Sequence, residues 1–85
     1  MLQNAAADRA LVLRFNKEQL PAFTQWKNTA AQADGYVTGL EPATDYPNAK
    51  AFERKQGRLV QLGAGQTHCV ALALEVLDSA AQVAV

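Results

Sequence analysis

Cysteine is almost absent from this chain, which contains Cys69 alone, so neither an intramolecular disulfide nor a cysteine-based metal site is possible. An excess of one charge is missing too, because eight basic and eight acidic side chains are scattered along the 85 residues without a run. Phosphate binding requires a concentrated basic surface, and nucleic acid is therefore not an expected partner. We expect Cys69 to be a small buried strand residue, and we expect no metal and no other cofactor.

Long hydrophobic runs are also missing. No window approaches the ~20 consecutive apolar residues of a membrane-spanning helix, and residues 1–8 have neither a basic segment nor a long apolar core. We therefore expect a soluble, cytoplasmic protein without a membrane partner. A chain of 85 residues forms one domain at most and buries only about two thirds of its unfolded surface, so its core should be thin.

Alternation of apolar and polar residues recurs along the chain and predicts an all-β protein with no helix longer than about two turns. Asp34-Gly35 and the segment 63–66 are turn signals. Residues 45–56 lose the alternation and predict a surface loop, and residues 78–85 form a tail of unassigned structure. Strands are expected over residues 10–16, 20–28, 36–41, 58–62 and 67–77.

The last of these segments is the most ambiguous, because its Ala, Leu and Glu residues also have high helix propensity. Its alternation and the preceding turn favour a strand. One face of that strand is bulky, with Val70, Leu72, Leu74 and Val76, and we expect this face to meet the core.

Gly39-Leu40-Glu41-Pro42 places one carboxylate at the end of an apolar strand. Pro42 has no amide hydrogen and biases Glu41 toward an extended conformation, so we expect the strand to stop here. Gly39 lies on the same strand face as Glu41 and leaves space for a ligand, although a β-bulge or close strand packing explains a glycine equally well. Judged without further information, a glutamate at a strand end is more often exposed or ion-paired than catalytic.

The stretch from Leu40-Glu41 to Pro47-Asn48-Ala49 resembles the Leu-Glu-x-x-x-x-x-Pro-Asp/Asn-Ala segment near the C-terminus of aldose 1-epimerases, the galactose mutarotase-like proteins. Residues 20–27, which include Gln25-Trp26-Lys27, are similar to the strand that precedes this segment in that family. Residues 57–68 look like its closing hairpin, with Gly63-Ala64-Gly65-Gln66 where Ala/Lys-Pro-Gly-Glu is usual. The resemblance implies that residues 1–85 are one segment, the last strands of a larger antiparallel β-sandwich of the galactose mutarotase-like supersandwich type.

The resemblance also implies a role for Glu41 as the base that takes the proton from the anomeric hydroxyl of a sugar. Ring opening additionally needs an acid that protonates the ring oxygen. In the family this acid is a histidine from an earlier part of the sandwich, and the position of His68 does not match it. We interpret His68 as a strand residue with a satisfied ring, and we expect the isolated chain to be inactive.

Candidate substrate-binding residues flank Glu41 on both sides. Trp26 can stack on the apolar face of a sugar, whereas Gln25 and Lys27, on the other side of the same strand, can bond hydroxyl groups. Both sets cannot face the sugar, and a core position is favoured for Trp26 because a large aromatic dominates a small core. We therefore expect Glu41 to share a sheet face with Gln25 or Lys27. The loop candidates are Asp45 and Asn48, together with Tyr46.

Three functions remain open from the sequence. The favoured one is the C-terminal portion of an aldose 1-epimerase-like enzyme with a small sugar as its partner, completed by upstream strands. The second is a carbohydrate-binding module without turnover. The third is a small β-protein that forms homo-oligomers through its open sheet edges, which are prone to pair with other chains.

Overall fold

A computed structural model describes residues 1–84, in which short strands predominate and two short helices and one 3₁₀ turn connect them. The strand pairs are antiparallel, which confirms the prediction of an all-β fold. The described part of the chain forms two compact units, residues 16–70 and the two flanking segments together. The elements are β1 (Leu2–Gln3), β2 (Ala10–Phe15), β3 (Ala22–Lys27), β4 (Thr38–Ala43), α1 (Lys50–Lys55), β5 (Leu72–Leu77) and α2 (Ala80–Val83).

The flanking segments form a three-stranded sheet with the order β1-β2-β5. Leu13 lies opposite Leu74, and this register places Leu11, Leu13 and Phe15 of β2 on one face with Leu72, Leu74 and Val76 of β5. The opposite face carries an ion pair between Arg14 and Glu75. The face defined by these six apolar residues is called the apolar face below.

The bulky residues of β5 are exposed, with 55% of Leu72, 70% of Leu74 and 72% of Val76 accessible to solvent. The expectation that this side of the last strand meets the core is therefore wrong for the described chain. Short apolar–polar alternation identifies which residues share a face, but it does not supply the layer that would cover them.

The second unit contains a two-stranded sheet of β3 and β4. The connection between them includes the 3₁₀ turn Gln32–Asp34, and Gly35 follows it with φ 83°, as the Asp-Gly turn signal predicted. β4 does not stop at Pro42, where the sequence placed its end, but continues through Ala43. Pro42 lies opposite Phe23, and a proline is tolerated because in a two-stranded sheet each strand is an edge strand.

The predicted surface loop over residues 45–56 is wrong for residues 50–55, which form α1. Gly57, with φ 73°, ends this helix: its amide bonds the carbonyl of Arg54, and the Arg58 amide bonds the carbonyl of Glu53, both at 3.0 Å. These two bonds form a Schellman motif, which satisfies the last carbonyls of the helix. The chain therefore reverses so that Arg58 lies beside Glu53.

Residues 58–62 and 67–71 lie in no strand, and the predicted strand 67–77 shortens to Leu72–Leu77. The turn between them is present, because the Gln66 amide bonds the carbonyl of Gly63 at 3.0 Å and Gly65 has φ 75°. Cys69 is exposed, which corrects its expected burial. A strand needs a partner for its backbone groups, and the local alternation of this segment cannot provide one.

The predicted tail contains α2, whose first turn is capped by the Ser79 hydroxyl oxygen, which accepts a bond from the Gln82 amide at 3.3 Å. Val83 of this helix is buried. No helix within residues 1–84 has the length and apolarity needed to cross a membrane.

Candidate functional site

The register of β3 and β4 decides which side chains accompany Glu41. Glu41 lies opposite Thr24, and Gly39 lies opposite Trp26, so these four residues share one sheet face. Gln25 lies opposite Leu40 and Lys27 opposite Thr38, on the other face. The expectation that Glu41 shares a face with Gln25 or Lys27 is therefore wrong, because side chains alternate along each strand and the pairing joins Glu41 to the Trp26 set.

Glu41 folds back over the glycine two residues before it. A β-carbon on Gly39 would lie 2.7 Å from Oε1 of Glu41, so a side chain at residue 39 would require the carboxylate to move away. Within residues 1–84, no hydrogen bond or ion pair engages the Glu41 carboxylate, and the residue is exposed. Trp26 is also 50% exposed, so its expected place in a core is wrong. The sheet thus presents a free carboxylate and an aromatic surface on the same side.

Asp45 is the second carboxylate of this region. It lines an open depression of 180 Å³ together with Glu41, and Asp45 itself is half-buried. The other lining residues are Thr24, Ala43, Tyr46 and Pro47. The depression therefore brings together the end of β4 and the residues that follow it. Asn48 is not among the lining residues.

Asn48 instead contributes to a second arrangement, centred on Glu53 of α1. The Glu53 side chain is fully buried, and its Oε1 accepts bonds from the Tyr46 amide at 2.8 Å and from Nε of Arg58 at 2.9 Å. Its Oε2 accepts bonds from Nη2 of Arg58 at 2.6 Å and from Nδ2 of Asn48 at 3.2 Å. We call this bidentate pair and its two further donors the Glu53–Arg58 clasp.

Electrostatics follow from these contacts. The Arg58 hydrogen bonds lower the pKa of Glu53 to about 2, aided by the bonds from Tyr46 and Asn48 and opposed by burial, which raises it. The same bond to Glu53 raises the pKa of Arg58. The guanidinium lies 5.1 Å from the ring centre of Tyr46 and 5.8 Å from that of Phe52. This cation–aromatic contact restrains the Tyr46 ring, while the bond to Glu53 restrains the Tyr46 amide.

A larger open depression of 350 Å³ shares Tyr46 with the first one and is also lined by Arg58. Its walls are mostly apolar, with Arg58 and Tyr46 as polar groups. The remaining lining residues are Pro21, Ala22, Thr44, Gly57, Leu59 and Val60. His68 lines neither depression, and its Nε2 lies 3.3 Å from the carbonyl oxygen of Gln19.

The Glu53–Arg58 clasp is the feature that sequence reasoning missed, because Glu53 was assigned to the surface loop 45–56 and Arg58 to a strand over residues 58–62. A signal for it exists in the sequence. Gly57 after a run of helix-forming charged residues is typical of a helix C-terminus, and the Schellman geometry returns the next residue to the last turn. No group of three or more potential metal-binding side chains comes together in the described chain.

A family model matches residues 1–76 of the chain, and its description is Domain of unknown function (DUF4432). No curated protein matches the chain. No solved structure matches it either.

Proposed function

The chain belongs to the DUF4432 family, and we propose that it supplies the base-bearing part of an aldose 1-epimerase-like enzyme, which interconverts the anomers of a sugar. Glu41 is the base, and Trp26 and Asp45 are its substrate-binding partners. We also propose a cytoplasmic location, where an exposed free thiol such as Cys69 stays reduced.

The observation that carries the proposal is the placement of Glu41 over Gly39. A base must be free to accept a proton, and the Glu41 carboxylate has no protein partner within residues 1–84. The exposed ring of Trp26, on the same sheet face, suits the apolar face of a pyranose. Asp45, in the same depression as Glu41, is a carboxylate acceptor for sugar hydroxyl groups.

In this mechanism Glu41 accepts the proton of the anomeric hydroxyl while the bond between the anomeric carbon and the ring oxygen breaks. The ring oxygen takes a proton from an acid, the carbonyl rotates, and the ring closes on the other face as both protons return. The described residues offer Glu41 as the base, and the acid must come from elsewhere in the cleft, since His68 lines neither depression.

The test is a Glu41→Gln substitution in the natural protein that carries this sequence. Glutamine keeps the shape of the side chain but cannot accept the proton, so turnover should fall by roughly 10²–10⁴-fold with little change in KM. Exchange NMR between the anomers of glucose and galactose measures the rate. The matched control is Glu18→Gln, the same change at an exposed glutamate outside the depression. Full turnover by Glu41→Gln would refute the proposal.

A carbohydrate-binding module without turnover is the second candidate. It is favoured by the exposed Trp26 ring on the same sheet face as Glu41 and by the depression that Glu41 and Asp45 line, because binding requires a stacking surface and acceptors but no acid. This function would be identified if the unmodified natural protein binds a sugar but does not accelerate the exchange of its anomers.

A further inference from the structure

We propose that the Glu53–Arg58 clasp is a positioning device that holds Asp45 at the sugar depression beside Glu41. The inference rests on the proposed sugar site. It assigns a role to Glu53 and Arg58, which do not line the depression that contains Glu41. Glu53 and Arg58 are positioning residues in this role, because they act through the segment 44–48 and not on the substrate.

The attachment of that segment is short on both sides. Ala43 is held by its pairing with Ala22 at the end of the β3–β4 ladder. Tyr46 is held through its amide, which donates to Oε1 of Glu53 at 2.8 Å. Only Thr44 and Asp45 lie between these two anchors. Asp45 therefore has little freedom to leave the depression while both anchors persist.

Two further contacts hold the far side of the segment. The Asn48 side chain donates to Oε2 of Glu53 at 3.2 Å, and the Arg58 guanidinium covers the Tyr46 ring. The bond to Glu53 is the main cause of the raised pKa of Arg58, and the negative charge of Asp45 adds to it. The clasp thus restrains the segment that follows Asp45 through both a backbone amide and a side chain.

The arrangement suits positioning better than stability alone. Full burial removes water from the Glu53 carboxylate, and this cost offsets part of what its bonds to the half-buried Arg58 contribute to the free energy of unfolding. Its directional bonds instead select one conformation. Here four such bonds end on one carboxylate, and two of the four donors belong to the segment that carries Asp45.

The first experiment is a double-mutant cycle in the natural protein that carries this sequence. Glu53→Gln should raise KM for the sugar about tenfold and leave kcat nearly unchanged, because an acceptor for substrate hydroxyls is no longer held in place. Asp45→Asn should raise KM similarly. If Glu53 acts through Asp45, the double variant should be no worse than Asp45→Asn alone. Additive effects, or a loss confined to kcat, would overturn the proposal.

The second experiment reads the loop directly and does not depend on turnover. Amide hydrogen exchange of Tyr46 and Asn48, the two hydrogen-bonded amides of the segment 44–48, should accelerate at least tenfold in Glu53→Gln. Exchange in the β3–β4 ladder, which follows the overall stability, should accelerate less. Asn48→Ala removes a single donor from an exposed residue, and it replaces Glu53→Gln if that variant fails to fold. Lys55→Gln, a change of charge elsewhere on α1, is the control and should leave exchange unaltered.

The outcomes separate the two proposals. If the unmodified protein neither binds nor interconverts sugars, the proposed function fails, and the amide exchange of Tyr46 and Asn48 still decides whether the clasp holds the segment that carries Asp45. If these residues stay protected in both Glu53→Gln and Asn48→Ala, the positioning role is refuted. If amide exchange in the segment 44–48 accelerates but KM in an active enzyme stays the same, the positioning role is refuted as well.

Discussion

Gly39 and Glu41 form the smallest unit of the candidate site. The carboxylate occupies the space that a side chain at residue 39 would fill, since a β-carbon there would lie 2.7 Å from Oε1. The missing side chain therefore lets Glu41 turn back along β4 toward residue 39, whose partner on β3 is Trp26. The carboxylate that we propose as the base and the ring that we propose as the stacking surface therefore lie on the same sheet face.

Trp26 and Lys27 provide the first prediction at this scale. Trp26→Ala should raise the dissociation constant for a pyranose by about tenfold, because an aromatic stacking surface is lost. Lys27→Ala should leave it unchanged, since the register places Lys27 on the other face of the sheet. Titration of each variant with methyl galactoside, followed by NMR, measures both constants. A larger effect of Lys27→Ala would mean that the sugar binds the opposite face.

Glu53 provides the second prediction, which concerns pH. Its pKa is lowered from 4.5 to about 2 in the folded chain, chiefly by the Arg58 hydrogen bonds. A lowered folded-state pKa stabilises the fold above the unfolded-state pKa, and this stabilisation is lost as the pH falls toward the folded-state value. Stability should therefore decline between about pH 4.5 and pH 2. Urea unfolding at several pH values measures the decline.

Glu53→Gln is the matched comparison for that pH dependence. It removes the titrating group, so the variant should be less stable at pH 7 and should lose less stability on acidification. A variant with the same pH profile as the unmodified chain would show that other carboxylates produce the decline.

At the scale of elements, the end of α1 determines where Arg58 lies. Gly57 has φ 73°, and a β-carbon there would meet no atom within 4 Å, so the only penalty for a larger residue is the left-handed backbone. Gly57→Ala should lower the free energy of unfolding by about 1–2 kcal/mol. Gly57→Asn should cost less, because asparagine adopts this conformation more readily. Chemical denaturation measures both.

The relative destabilisation of Gly57→Ala and Gly57→Asn tests whether the left-handed conformation of Gly57 is the cause. If alanine and asparagine destabilise the chain equally, the backbone conformation at Gly57 is not the cause. If neither destabilises it, the Schellman motif does not limit the stability of the chain.

Strand positions could be predicted from the sequence where a partner strand exists. Alternation identified β2, β3 and most of β4, because each of these segments pairs over its whole length. The same pattern over residues 58–62 gave a strand that is absent, since periodicity reports the faces of a segment and not its partner. α1 was missed because its six residues are too few for a clear helical period.

The site could be predicted only in part, for the same physical reason. Glu41 was predicted at the end of its strand, where a glutamate is more often exposed or ion-paired than catalytic, and Asp45 was predicted in the adjoining loop. The face of the sheet was assigned wrongly, because a shift of one residue in the pairing of two strands exchanges the sets on the two faces. Register is a property of two strands together, and the alternation of β3 alone leaves it undetermined.

At the scale of the whole molecule, the apolar face of the β1-β2-β5 sheet is exposed to solvent along β5. Three of its residues are more than half exposed, and its reverse side carries the Arg14–Glu75 pair. Contiguous apolar surface of this kind is typical of an interaction site or a cause of aggregation. We propose two ways of covering the apolar face: a second copy of the chain, or additional strands from upstream residues.

Self-association of the 85-residue chain through the apolar face is the last prediction. Sedimentation velocity should show a concentration-dependent increase in size that persists at high salt, because apolar burial is not screened. Leu74→Glu places a charge on the apolar face and should weaken association about tenfold or more, the effect of losing one buried leucine. Ala73→Glu adds the same charge on the other face, opposite Arg14, and should change little. Equal effects of the two changes, or a chain that stays monomeric at high concentration, would exclude this face as the contact.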